Sequence, residues 1–173
     1  MKTPDAIPVL SEIVLRTIIT HAHEVACVFH HGQKRNDGKP YITHPEAVAE
    51  RVHSLPLRPI ALLHDVIEST TITVAHLQSL FPDWITDRVV ILTRPAAMSY
   101  ADYILQTGAD WACRTIKRAD IEHNMGDLKA GSLRDKYALA LLVLNFFDTT
   151  EILDNVLTLQ KSKLHLTTGA KTD

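Results

Sequence analysis

Histidine and aspartate side chains in separate segments of this chain could bind one metal ion together. His64 and Asp65 are adjacent within residues 59–68, a run that is apolar at almost every other position and is typical of a buried helix. A buried carboxylate without a partner costs several kcal/mol, so a cation must compensate the charge of Asp65. A divalent ion would do this directly, and His44 and Asp120 offer a second imidazole and a second carboxylate.

Two imidazoles and two carboxylates form a mixed nitrogen and oxygen ligand set, which suits manganese, iron or zinc. The residue types do not choose among these metals. Structural zinc bound only by thiolates is excluded, because the two cysteines, Cys27 and Cys113, form no CxxC pair. A divalent ion lowers the pKa of a coordinated water from about 15.7 toward 7, so the set favours hydrolytic chemistry.

Three polar residues lie at helical spacing from the proposed ligands. Glu68 follows Asp65 by three residues, which suits a general acid or base on the same side of a helix. The alternative for Glu68 is a solvated carboxylate at a helix end. Asn124 and Lys117 lie four residues after and three before Asp120, where an amide could orient substrate or water and an ammonium could bind phosphate. The alternative for Lys117 is a surface lysine.

Composition limits the class of partner. The 173 residues fit one domain with a real core, and the apolar share of 46% and charged share of 22% are ordinary for a globular protein. A net charge of −2 gives no basic field for nucleic acid and no polybasic face for a membrane, so neither is an expected partner. We interpret Cys27 and Cys113 as buried free thiols in a reducing cytoplasm. The oligomeric state stays open.

Helical periodicity dominates the chain and predicts an all-α domain over residues 1–160, with a polar, disordered tail over 161–173. Residues 89–92 are the one place where a short strand would fit. Asp148-Thr149-Thr150 is expected to open the last helix. The predicted helices cover residues 11–30, 46–53, 59–68, 74–80, 84–92, 138–147 and 148–159, with one more around Asp120 and Asn124.

Four motifs, in order, make the chain resemble the hydrolase domain of the RelA/SpoT family, within the HD phosphohydrolase superfamily. The resemblance covers about residues 20 to 128. A histidine-aspartate pair alone would be a weak signal, but four ordered motifs are specific. The motifs are HGQKR (31–35), GKPYITHP (38–45), ALLHDVIE (61–68) and KRADIEHNM (117–125).

The resemblance implies an all-α HD-domain bundle around a manganese site, and removal of the 3′-pyrophosphate of the alarmone (p)ppGpp. The residues that match the family's metal ligands are His44, His64, Asp65 and Asp120. Glu68 matches the catalytic acidic motif, Asn124 a substrate contact, and Arg35 a residue that packs on the guanine base. Candidates for binding the nucleotide and its phosphates are Lys34, Arg35, Lys39, Tyr41 and Lys117.

Three positions depart from the family pattern. Ser69 stands where an aspartate usually follows the glutamate, and Gly126 stands where an arginine usually follows Asn-Met. Arg118 replaces a common leucine, and we expect it to form a solvated ion pair with Glu122 four residues later. Two alternatives therefore stay open: a phosphohydrolase of another nucleotide or phosphoester, and a catalytically weak nucleotide-binding protein.

Overall fold

A computed structural model describes residues 4–126 and 128–168, with the backbone only for 155–157 and 159–168. The described part is all-α, as predicted, and contains no strand. A short 3-10 turn, Leu55–Leu57, precedes the third helix. The helices are α1 (Glu12–Phe29), α2 (Thr43–Arg51), α3 (Arg58–Leu63), α4 (Val66–Ser69), α5 (Val74–Leu80), α6 (Asp83–Leu92), α7 (Tyr100–Ala109), α8 (Trp111–Gly126) and α9 (Ser132–Thr168).

The short helix α3 lies at the centre of the larger hydrophobic core, where it packs against α1, α2 and α6. Every residue from Pro59 to Leu63 is buried, which accounts for the lack of a polar side in this run. A smaller cluster lies between α7, α8 and α9, around Tyr103, Ile121 and Leu144. Helix α8 contributes to both clusters and therefore joins them.

A tight hairpin connects α1 to α2 and presents the polar motif of residues 31–41. The backbone N–H of Arg35 donates to Lys39 at 2.9 Å, and that of Tyr41 donates to Gln33 at 3.0 Å. Gly38 has a φ of +84°, which a residue with a Cβ rarely adopts. The hairpin holds Arg35 and Tyr41 beside the start of α2.

One prediction about the central helices is wrong. The run 59–68 is not one helix: it is interrupted at His64 and Asp65, where Asp65 has a φ of −102°. Successive side chains on a continuous helix diverge by about 100°, and the interruption lets His64 and Asp65 approach the same point. The predicted helix over 84–92 is confirmed, and it includes residues 89–92, where Val89, Ile91 and Leu92 are buried on α6.

The last helix is also longer than predicted. Helix α9 passes through Asp148-Thr149-Thr150 without a break. The threonine hydroxyls donate back to the carbonyls of Asn145 and Phe147, at 3.2 and 2.9 Å, so they are satisfied inside the helix and do not cap a new one. Residues 161–168, assigned to a disordered tail, continue this helix, and 169–173 lie outside the described residues.

Two sets of contacts attach α9 to the rest of the domain. A Cβ on Gly108 of α7 would lie 2.4 Å from the ring of Phe147, so the two helices approach at a glycine. Arg114 of α8 donates to Asp148 at 2.6 Å and also pairs with Glu151. Arg118 pairs with Asp148 across the same interface, so its predicted pairing with Glu122 is wrong.

Both cysteines are free, as predicted, with Cys113 buried and Cys27 half-buried. Within the described ranges, no helix has both the length and the apolar character that crossing a bilayer requires.

Candidate metal centre

Three of the four predicted ligands form one buried group. His44 lies in the first turn of α2, His64 follows the end of α3, and Asp120 is in the middle of α8. One ligand atom from each of the three lies within 4.8 Å of the others. All three side chains are at least nine-tenths buried. Residues 76 positions apart in the chain therefore meet where α2, α3 and α8 join.

The hydrogen bonding of His64 leaves one nitrogen ready to bind a cation. Its Nδ1 lies 2.8 Å from the carbonyl oxygen of Ala61, and because a carbonyl only accepts, Nδ1 carries the proton. Nε2 then bears a lone pair, is fully buried, and has no hydrogen-bond partner among the described residues. It faces Asp65 Oδ1 at 3.3 Å and Asp120 Oδ1 at 3.8 Å. A lone pair beside two carboxylates is repulsive unless a cation lies between them, so these residues fit a divalent metal.

Asp65, the fourth predicted ligand, flanks this group. Its Oδ2 lies 3.5 Å from His44 Nε2 and accepts a hydrogen bond of 2.6 Å from the hydroxyl of Tyr41. Burial and the Asp65 carboxylate raise the pKa of Tyr41 well above its usual range, so the hydroxyl remains a donor. The side chain of Asp65 is 20% exposed, against 6% for Asp120, and so it lies between the buried ligands and solvent.

Asp120 is held as a carboxylate by its neighbours on α8. Lys117 Nζ and Asn124 Nδ2 each donate to it at 2.7 Å, one to each oxygen, and His44 Nε2 lies 3.1 Å from Oδ1. Burial alone would raise the pKa of Asp120, but the Lys117 ammonium and the hydrogen bond with His44 hold it far below its usual range. Burial alone would lower the pKa of Lys117, and Asp120 more than reverses this. Lys117 is therefore not a surface lysine.

Two further histidines lie around the proposed ligands. His123 Nδ1 lies 2.8 Å from His44 Nδ1, so the two rings share a proton and the Nε2 of His44 is directed toward Asp120. His30 does not touch a ligand but stacks on Tyr41, whose hydroxyl binds Asp65, with 4.7 Å between ring centroids. His31, the neighbour of His30 in sequence, is exposed.

Three of the four predicted ligands, His44, Asp65 and Asp120, line a cavity of about 630 Å³, a size typical of small-molecule sites. Lys34 and Arg35 contribute cations to its wall, and Glu68 and Ser69 contribute the end of α4. Leu128, Leu133 and Tyr137 also line it, and no motif predicts them because they come from the α8–α9 connection and α9. The full lining is Lys34, Arg35, Asn36, Asp37, Tyr41, His44, Asp65, Glu68, Ser69, Lys117, Asp120, Asn124, Leu128, Leu133 and Tyr137.

Two predicted site residues have unexpected surroundings. Lys39 pairs with Asp37 at 3.0 Å, is 70% exposed, and does not line the cavity, so its prediction as a phosphate ligand has no support here. Glu68 is exposed on the cavity wall, and its Oε2 accepts from the backbone N–H of Arg94 at 3.2 Å. That contact fixes one carboxylate oxygen of Glu68 at the end of α4.

Curated (p)ppGpp enzymes are similar to this chain in sequence. SpoT of Escherichia coli (strain K12), a bifunctional (p)ppGpp synthase/hydrolase, is 35% identical in an alignment of 131 residues that covers 67% of this chain and 18% of that protein. The guanosine-3′,5′-bis(diphosphate) 3′-pyrophosphohydrolase of Haemophilus influenzae is 39% identical in an alignment of 120 residues that covers 61% of this chain and 17% of that protein. A GTP pyrophosphokinase of Streptomyces coelicolor is 33% identical in an alignment of 124 residues that covers 64% of this chain and 15% of that protein. No protein-family model matches the sequence.

The resemblance to the RelA/SpoT family is therefore confirmed, and the chain spans less than a fifth of the length of the curated relatives it matches. A solved structure shares the fold: that of a metazoan ortholog of SpoT that hydrolyses ppGpp and plays a role in starvation responses. It superposes with a TM-score of 0.61 at 19% identity, over 81% of this chain and 87% of that one. The helical fold of this chain is thus found nearly complete in that structure.

Proposed function

We propose that this chain is a metal-dependent phosphohydrolase that removes pyrophosphate from the 3′ position of (p)ppGpp and leaves GDP or GTP. The observation that carries the proposal is the unpartnered Nε2 of His64, buried among carboxylates beside a cavity of about 630 Å³. The names of the relatives supply the substrate class.

The proposed metal ligands are His44, His64, Asp65 and Asp120, and manganese is the proposed ion. When bound, the ion would supply Lewis acidity, which makes water acidic enough to attack at neutral pH and offsets phosphate charge. Lys117 and Asn124 act through Asp120, because each donates to one of its oxygens. Both residues also line the cavity, so their contact with substrate stays a prediction.

The remaining residues of the cavity have roles toward the nucleotide. Glu68 accepts the proton of the attacking water, whose oxygen bonds to the phosphorus linked to the ribose 3′-oxygen. The bond from phosphorus to the ribose 3′-oxygen breaks, and this oxygen leaves as the 3′-hydroxyl with the proton that Glu68 has taken up. Lys34 and Arg35 offset the phosphate charges, and the planar guanidinium of Arg35 can also pack on the base. Tyr41 fixes the direction of Asp65.

Release of pyrophosphate tests this proposal. Purified protein with Mn²⁺ and ppGpp should release pyrophosphate, and Asp65→Ala should abolish release because it removes a proposed ligand. Glu50→Gln is the matched control, since Glu50 is an exposed carboxylate on α2 and does not line the cavity. Absence of release by folded, metal-loaded protein would refute the substrate, and near-normal rates for Asp65→Ala would refute the ligand set.

A second candidate is hydrolysis of a different nucleotide or phosphoester. Ser69 favours it, because this cavity residue stands where the family usually has a second acidic side chain. Gly126 favours it as well, since it lacks the usual cation one turn beyond Glu122. A panel of guanosine and adenosine 3′-phosphorylated nucleotides with Mn²⁺ separates the two: much faster turnover of another nucleotide selects this second candidate. Tight binding without turnover, with activity restored by Ser69→Asp, would indicate a weak enzyme that binds nucleotide.

The proposed cellular compartment rests on the two cysteines. Two free thiols, one half-buried, are typical of a reducing compartment, so we propose the cytoplasm.

A further inference from the structure

Helix α9 is apolar on two opposite sides. One side packs into the smaller cluster through residues such as Ala140 and Leu144, which are 3% and 0% exposed. The other side exposes a row of large apolar side chains to solvent. These are Leu139, Leu142, Phe146, Ile152 and Leu153, each between 55% and 66% exposed. A helix apolar on both sides is normally covered on both sides.

The exposed row has the spacing of a coiled-coil seam. Four residues of the row, Leu139, Leu142, Phe146 and Leu153, form this seam together with the exposed Thr149, at intervals of three, four, three and four residues, and Ile152 lies beside it. This is the heptad pattern in which alternate a and d positions of one helix pack into holes of another. Scattered exposed leucines do not produce such a register, so the row matches a partner helix and not a flat surface.

We propose that this face binds the same face of a second copy of this chain, forming a two-fold symmetric dimer. A face that meets its own copy must not bring like charges together. Between residues 138 and 153 the only charged residues are Asp148 and Glu151, and both pair with Arg114 of α8. Beside the seam, the exposed Ala138 and Asn145 are uncharged, whereas the exposed Asp135 and Lys136 precede the seam and the exposed Asp154 follows it. The middle of the face is therefore compatible with itself, and the charged residues lie at its two ends.

The surface area is sufficient for a modest dimer. Five large side chains, each about three-fifths exposed, present roughly 600 Å² of apolar surface, so a pair would bury roughly 1,200 Å², at the lower limit of specific interfaces.

Helix α9 is also long enough to contact a second copy of the chain beyond the body of its own domain. Its 37 residues correspond to about 55 Å, whereas a small domain is about 30 Å across. Ile152, Leu153 and Asp154 are all exposed, so the helix leaves the body of the domain near Glu151.

Sedimentation equilibrium and light scattering of the intact chain test the dimer. The wild-type protein should have twice its chain mass of 19.3 kDa at micromolar concentration. Leu142→Glu should raise the dimer dissociation constant at least about 30-fold, because each interface would then contain two buried carboxylates. Phe146→Glu repeats the test at a second position. Both side chains are two-thirds exposed in the single chain, so the folded monomer tolerates the changes.

Ile13→Glu is the matched control: Ile13 on α1 is 78% exposed, lies off this face, and should keep the dimer intact. A wild-type mass of 19.3 kDa up to the solubility limit would overturn the proposal, including the case in which a different protein covers the face. A dimer unaffected by both α9 substitutions would overturn it as well.

Discussion

Tyr41 fixes the one proposed ligand that solvent reaches. Asp65 is partly exposed, whereas the other three proposed ligands are buried by α2, α3 and α8. Its carboxylate would be free to rotate without the 2.6 Å hydrogen bond from the tyrosine hydroxyl. A ligand that must be ordered on binding lowers the affinity for the metal, so we expect Tyr41 to act through Asp65.

Replacing Tyr41 with phenylalanine should therefore weaken metal binding by about 10-fold or more while leaving the fold intact. The ring and its stacking on His30 remain, and only the hydroxyl is lost. Calorimetric titration with Mn²⁺ measures the effect directly. Tyr100→Phe is the control, because its buried hydroxyl has no hydrogen-bond partner in the part of the chain that the structure describes. Equal Mn²⁺ affinities for the two variants would remove Tyr41 from this role.

The site residues divide into those that the sequence identifies and those whose contacts depend on the fold. His44, His64 and Asp120 are identifiable because their types and motifs point to a metal before any folding is known. Lys39 and Arg118 are not assignable in this way. The sequence does not show whether the Lys39 ammonium binds a phosphate or a nearby carboxylate, and in the structure it pairs with Asp37, two residues away. Arg118 pairs with Asp148, 30 residues later, across an interface that no local spacing reveals.

Among the elements, the approach of α7 to α9 depends on Gly108. A methyl group there would overlap the ring of Phe147, whose nearest atom would lie 2.4 Å away. We expect Gly108→Ala to destabilise the domain by about 1–3 kcal/mol, a net loss even though alanine favours helix by about 1 kcal/mol. Urea unfolding measures the change in the free energy of unfolding. Gly126→Ala on α8 is the control: a Cβ there meets nothing within 4 Å, so this substitution should be neutral or stabilising. If both variants gain stability, the close approach has no energetic importance.

The contact of α8 with α9 should depend on pH through Asp148. Burial alone would raise its pKa, but Arg114 and Arg118 lower it below its ordinary value of 3.8. A carboxyl group with a lowered pKa in the folded state contributes stability above its unfolded pKa, and that contribution is lost as pH falls through the folded pKa. The stability difference between wild type and Asp148→Asn should be constant at neutral pH and shrink below about pH 4. Chemical unfolding from pH 7 to pH 3 measures it, and a difference unchanged at pH 3 would contradict the role.

The helices follow from local pattern, whereas two of their boundaries do not. Ser11 and Thr73 cap α1 and α5 as their types predict, since each side chain accepts from a backbone N–H of the first turn. The interruption at His64-Asp65 lies at the site: His64 Nδ1 donates to the carbonyl oxygen of Ala61, which in a continuous helix would accept from the backbone N–H of Asp65. The continuity of α9 through Asp148 depends on Arg114, a residue of another helix. Contacts between residues far apart in the chain cannot be predicted from the pattern of a short sequence segment.

At the scale of the whole molecule, the proposed metal site is a junction between the two hydrophobic clusters. His44 and His64 come from the larger cluster's helices, and Asp120 lies on α8, which enters both clusters. An ion bound to these residues would connect α2, the end of α3 and α8 at one point. Metal binding and global unfolding should therefore be thermodynamically linked.

Added Mn²⁺ should raise the melting temperature of the wild-type protein and a chelator should reverse the rise. At a free metal concentration about 100 times Kd the expected stabilisation is about 2.7 kcal/mol, which corresponds to roughly 5–10 °C for a chain of this size. Asp65→Ala should lose this rise together with activity, because the unfolded chain has no assembled site and the variant lacks one of its four ligands. Glu50→Gln should keep the full rise, since its carboxylate is exposed elsewhere on α2. Differential scanning calorimetry of the three proteins, with and without Mn²⁺, measures the six curves. An undiminished rise in Asp65→Ala would mean that the ion binds elsewhere, and no rise in the wild type would mean that the unpartnered Nε2 of His64 is not a metal ligand.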